Sequence, residues 1–188
     1  IRRQRQMCIR DSINIFSRNA KQSDLSDRVK GVVGSMDDLP FGKESLDLIW
    51  SEGAIANIGF KKGLNYWNGF LKKDGYVALT YESWFTDDRP AEIEKFWLDA
   101  VPEMNTISHN ISVLQKAGYR LVAAFTLPET CWTEHYFSPC SKIQDEFLKK
   151  HAGSKTAEEL IAGQRHEKVL YDKYKEFYGY VFYIGKKI

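Results

Sequence analysis

The chain has 188 residues, 43% of them hydrophobic and 14% aromatic, with 27 Lys and Arg against 25 Asp and Glu. Such a chain can bury one sizeable core, which excludes a disordered, collagen-like or disulfide-framework protein. No apolar run approaches the roughly 20 residues that span a bilayer, so no membrane partner is expected. Cys8, Cys131 and Cys140 are irregularly spaced and have no histidines at ligand spacing, so no metal is expected and the cytoplasm is the default compartment.

The start, from Ile1 to Ser12, reads first as a basic arm. Blocks of Arg and Gln bind nucleic acid or target a chain, and a solvated tail is the ordinary alternative. A third reading is favoured. Arg2 to Asp11 resemble, codon for codon, one frame of a common transposase-based sequencing adapter, with Ser12 at the junction. Residues 1–12 are therefore expected to be an artefact without core contacts, and the domain is taken as 13–188. Arg2, Arg3, Arg5 and Arg10 less Asp11 carry +3 of a formal total of +2, so the remainder carries −1. That leaves no basic footprint, and no nucleic-acid partner is expected.

Ile13 to Gln22 reads as a short helix and Ser23 to Arg28 as a turn. Val29 to Gly34 is a β-rich run followed by a loop. Leu46 to Trp50 is the next strand, bounded by Ser51-Glu52-Gly53. Phe60 to Leu71 has Leu64, Trp67, Phe70 and Leu71 at helical spacing, and Lys72 to Gly75 closes it with cations and a glycine. Tyr76 to Tyr81 is a third strand. Ala91 to Ala100 and Ser108 to Lys116 read as helices, and Tyr119 to Leu127 as a fourth strand stopped by Pro128. Two helical stretches follow, near Cys131–His151 and Thr156–Phe177, and Tyr180 to Ile184 is the last strand. Strands alternating with helices predict an α/β layered sheet.

The order of these pieces carries a resemblance. Gly34-Ser-Met-Asp-Asp-Leu-Pro-Phe41, with the strand Leu46 to Ser51, resembles the third-strand loop and fourth strand of class I S-adenosylmethionine-dependent methyltransferases. Leu71 to Leu79 resembles that family's Leu-Lys-Pro-Gly-Gly turn into the fifth strand, with Lys73 and Asp74 replacing Pro and Gly. Tyr119–Leu127 and Tyr180–Ile184 are similar to its sixth and seventh strands. The stretch from Ile13 onward looks especially like the small-molecule "type 11" group of gut bacteria. The resemblance implies a partial seven-stranded, doubly wound, Rossmann-like sheet with a helical insertion at about 129–177. Its strands would lie in the order Leu46–Ser51, Tyr76–Tyr81, Tyr180–Ile184, Tyr119–Leu127. The family's first two strands, its glycine-rich turn and its ribose-binding acid are absent after Ile13. The chain is therefore expected to be a fragment, poorly stable and incompetent in catalysis by itself.

The resemblance also implies S-adenosylmethionine as cofactor and a small-molecule methyl acceptor. Ser35, Met36, Asp37 and Asp38 would hold the adenosine, with Asp37 on the adenine amino group and Met36 on its face. A solvated turn is the ordinary use of such aspartates. Ser51, Glu52 and Gly53 follow a strand at the end where ligands bind in open parallel sheets. Glu52 would orient cofactor or acceptor, or simply cap the next segment. Glu82 and Trp84, with Trp132 and Tyr136, would line the acceptor pocket, although such aromatics more often form core under a cap. His135 is a candidate general base. The rival readings are an RNA or protein methyltransferase of the same fold, and a non-catalytic α/β binding module. The oligomeric state is not legible.

Overall fold

The computed structural model describes residues 2–188, with side chains from Asp11 onward. Two compact units divide at Phe41 and Gly42. In the first, helix α1 spans Arg2–Gln22. It starts well before Ile13 because the preceding stretch contains no Gly or Pro and is rich in good helix formers. The contacts of side chains 1–10, on which the artefact reading turns, lie outside the described residues. Asp11 and Ser12 are exposed. Leu25 N–H donates to the Ala20 carbonyl (2.9 Å), which ends the helix in a turn.

Val29–Gly34 is a correction: it forms no strand. Val32 and Val33 are exposed, and the bridge nearest to them joins Ser35 to Asp38. β-Branched residues favour strands only where they pack on a neighbouring strand, and here none pairs with them.

The second unit is built on a five-stranded sheet. Strand β1 (Leu46–Ser51) runs parallel to β2 (Leu71–Trp84), which is antiparallel to β5 (Tyr178–Lys187). Strand β4 (Tyr119–Thr126) pairs antiparallel with β5, and the two-residue β3 (Asn105–Thr106) pairs with the end of β2. The order β1-β2-β5-β4 is the expected one.

Strand β2 begins at Leu71 rather than Tyr76, and helix α2 (Phe60–Asn68) stops earlier than expected. Lys72 to Gly75 therefore lie within the strand instead of capping the helix. The register jumps from Leu46↔Leu71 to Leu48↔Tyr76, and Asp74 takes a φ of 66° to absorb the extra residues.

One sheet face carries Val77, Leu79, Tyr81 and Tyr183, all buried. Helix α2 covers it with Phe60 and Leu64, and α4 (Ile107–Lys116) covers it with Leu114. Phe60 stacks on Tyr81 with centroids 4.4 Å apart. Asn110 of α4 donates to Ser83 Oγ (3.1 Å), which is also hydrogen-bonded to the Tyr183 hydroxyl (2.7 Å). These buried polar groups thus satisfy one another.

The opposite face is covered only towards the end of β2. There Trp84 and Tyr178 pack with Ile93 and Trp97 of α3 (Ala91–Ala100) and with Trp132, Phe137, Leu170, Tyr171 and Tyr174. The last five belong to the insertion. It comprises α5 (Thr130–Trp132), a π-helical turn (Thr133–Phe137), α6 (Ser138–Lys150) and α7 (Lys155–Tyr174). Ser154 caps α7 by accepting from Ala157 N–H. Leu48 and Tyr76 at the other end of this face, and Trp50 and Phe125 across its middle, are exposed. Among the described residues, no helix is long and apolar enough to cross a membrane.

Candidate active site

Open parallel sheets place ligands beyond the carboxyl ends of their strands. At that end, Ser51 leads into a turn where Gly53 has a φ of 57° and donates its N–H to Thr80 Oγ1 (2.8 Å). A Cβ on Gly53 would lie 3.7 Å from the Tyr180 hydroxyl. Tyr180 faces Glu82 across the β2–β5 ladder and donates to its Oε1 at 2.8 Å. Trp132 lies nearly parallel on the Tyr180 ring, with centroids 4.9 Å apart. Tyr136, on the π-helical turn, donates to Glu167 Oε2 of α7 at 3.1 Å.

The two carboxylates and two phenols act on one another. Burial raises the Glu167 carboxyl above its ordinary range; the Tyr136 hydrogen bond opposes this, and the nearby Glu82 charge adds to it. Burial, then Glu167, pushes the Tyr136 phenol up to about 12. Burial and the Glu82 charge raise Tyr180 further still. Neither carboxylate pairs with a cation among the described residues. The group can therefore hold a hydrogen-bond donor or a positively charged centre, and Glu167, with its raised carboxyl, is suited to take a proton.

The fold brings four of the residues singled out from sequence to this place: Gly53, Glu82, Trp132 and Tyr136. Glu82 and Trp132 are buried; Tyr136 is half-buried. Trp84 is fully buried beneath them in the aromatic cluster, with the Arg89 guanidinium 4.6 Å over its ring. Ser51 is half-buried and aligned with Leu79 in the ladder. Glu52 is exposed and accepts from Trp50 Nε1 (2.8 Å). His135 is exposed on the π-helical turn. Ser35, Met36, Asp37 and Asp38 lie in the first unit as a tight turn. Ser35 Oγ is 2.5 Å from Asp37 Oδ1, and Asp38 N–H donates to the Ser35 carbonyl.

Sequence reasoning missed Thr80, Tyr180 and Glu167. Tyr180 stands in a strand and Glu167 among helix charges, with no local pattern to separate either from its neighbours. Their positions follow from the β2–β5 register and from the docking of α7, which only the folded chain displays.

No protein-family sequence model and no curated protein sequence matches the chain. Solved structures share its fold. A S-adenosylmethionine-dependent methyltransferase from Geobacter sulfurreducens, bound to S-adenosylhomocysteine, superposes with a TM-score of 0.73 at 15% identity. That match covers 92% of this chain and 70% of the other. The [4+2]-cyclase SpnF gives 0.68 at 16% identity, over 93% of this chain and 62% of its own. A geranyl diphosphate C-methyltransferase from Streptomyces coelicolor gives 0.59 at 14% identity, over 94% and 60%. The chain thus spans less than two thirds of the cyclase and of the geranyl diphosphate enzyme. At these identities the likeness establishes the fold.

Proposed function

We propose that the chain is the larger part of an S-adenosylmethionine-dependent enzyme that methylates a small molecule. The supporting observation is the group Glu82, Tyr180, Glu167 and Tyr136, set at the carboxyl end of the sheet under the insertion. S-Adenosylmethionine, when bound, supplies the methyl group as a sulfonium. This chain's residues would do the rest. Glu82 and Tyr180 orient the acceptor, Trp132 and Tyr136 exclude water, and Glu167 takes the acceptor's proton. Two carboxylates without a cation favour an acceptor that donates hydrogen bonds, such as an amine.

Exposed Glu52 and His135 are the other candidate bases, but neither has the burial that tunes Glu167. On the cofactor side, Gly53 leaves open the space that a side chain would fill above Tyr180. Ser35, Met36, Asp37 and Asp38 are the proposed adenosine contacts, with Asp37 first. The remaining charge of −1 after Ser12 favours a small acceptor over nucleic acid, in the cytoplasm. No glycine-rich turn for the methionine end occurs after Ile13, so this chain by itself is proposed to be inactive. The same absence favours, as the second reading, a non-catalytic module of the same fold.

Titration calorimetry with S-adenosylmethionine tests the first part. Weak or no binding is expected, and low-micromolar binding overturns the fragment reading. Reading the source DNA upstream of the Ile13 codon tests the second part. A strand followed by a glycine-rich turn is expected there; a different coding sequence would favour the binding module. In the extended enzyme, Asp37→Ala should weaken cofactor binding more than Asp38→Ala.

A further inference from the structure

We propose that a cavity at the other end of the sheet is an anion site for a small phosphorylated molecule. This inference is independent of the methyl-transfer reading. The cavity has a volume of about 480 Å³ and is lined by Lys73, Asp74, Gln115, Arg120, Lys186 and Lys187, among others. It lies at the start of β2, roughly 25 Å along the strand from Glu82 at about 3.3 Å per residue.

Three strand ends assemble the charges. The irregular start of β2 turns out Lys73 and Asp74, and the β4–β5 ladder sets Arg120 opposite Lys186 and Tyr119 opposite Lys187. Lys186 Nζ lies 2.8 Å from Asp74 Oδ1. Lys187, only 12% exposed, donates to the Leu71 carbonyl at 2.8 Å and lies 3.5 Å from Glu44. Lys73 and Arg120 are exposed, and their side chains make no hydrogen bond or ion pair among the described residues. Both are nonetheless close enough to Asp74 to help Lys186 hold its carboxyl below the ordinary range.

Four cations thus share a wall with one carboxylate side chain, which is committed to Lys186, and with Ile188, whose terminal carboxylate offsets one of the four. A dianionic phosphate would relieve the mutual repulsion of Lys73, Arg120 and Lys186. The Arg120 guanidinium offers the planar fork that binds two phosphate oxygens at once, and the Gln115 amide offers a neutral donor. The volume admits a phosphorylated metabolite and not merely an ion.

The test is calorimetric titration of the full 188-residue chain with inorganic pyrophosphate at low salt. Saturable binding of one pyrophosphate per chain is expected, weakening as ionic strength rises. Arg120→Gln and Lys73→Gln should each weaken it about tenfold, equivalent to roughly 1.4 kcal/mol. Both side chains are exposed, so unfolding temperature without ligand should not change. Arg165→Gln, which removes an exposed cation paired with Asp145 elsewhere, should leave the affinity as it was. Absence of saturable binding overturns the proposal. So does an equal loss in Arg165→Gln, which would mean diffuse attraction, or an unchanged affinity in Arg120→Gln.

Discussion

Glu167 shows how one residue's surroundings translate into a measurable pH dependence. Burial favours its protonated form, so the folded chain holds this proton to a higher pH than the unfolded chain does. The unfolded state then binds fewer protons, and stability falls as pH rises through and above the ordinary carboxylate range near 4.5. In Glu167→Gln this contribution disappears. The urea midpoint of the variant should match the parent below pH 4, exceed it as pH rises through the ordinary carboxylate range, and keep a constant advantage once the folded chain's Glu167 has ionised. Parallel pH profiles for the two proteins would show that Glu167 is solvated. Gly53 makes a second residue-level case. Its left-handed φ disfavours any Cβ by about 1–2 kcal/mol, while the space above it admits a methyl group. Gly53→Ala should therefore lower stability by about that amount, as read from urea unfolding, without displacing Tyr180.

At the scale of elements, the insertion is held to the sheet mainly through aromatic packing. Trp132 contacts Trp97, Phe137, Tyr171, Tyr178 and Tyr180, so it joins α3, α7 and β5. Trp132→Ala should cost about 3–5 kcal/mol, the range for removing a buried large aromatic. Loss of near-ultraviolet dichroism from the ring cluster should accompany it; a variant within 1 kcal/mol of the parent in urea would show that the insertion docks by other means. The elements also differ in how far sequence revealed them. Ala91–Ala100 was legible at both ends, because Pro90 can precede a helix and Glu92 and Glu94 complement its first turn. Val29–Gly34 was misread because β-branched residues look the same whether or not a neighbouring strand exists. Lys72–Gly75 looked like a helix stop, but it is an irregular strand start whose left-handed residue is Asp74 and not a glycine. Of the candidate site, Gly53 and Glu82 were legible from strand ends, while Tyr180 and Glu167 depend on partners about 100 and 31 residues away along the chain.

Across the second unit as a whole, one feature governs behaviour in solution. Strand β1 is an edge, and its own Leu48 and Trp50 are 49% and 59% exposed. Unpaired edges with apolar flanks template association between chains. Heating should therefore give irreversible unfolding with light scattering, and Leu48→Lys should delay the scattering without lowering the unfolding temperature. A reversible, scatter-free transition in the parent would show that the edge is harmless, and it would remove a support of the fragment reading. The same exposure has an optical consequence. Of the five tryptophans, Trp67, Trp84, Trp97 and Trp132 are buried, and Trp50 alone stands in solvent. Its long-wavelength emission, open to collisional quenching by acrylamide, is a built-in reporter of whatever comes to rest on that edge.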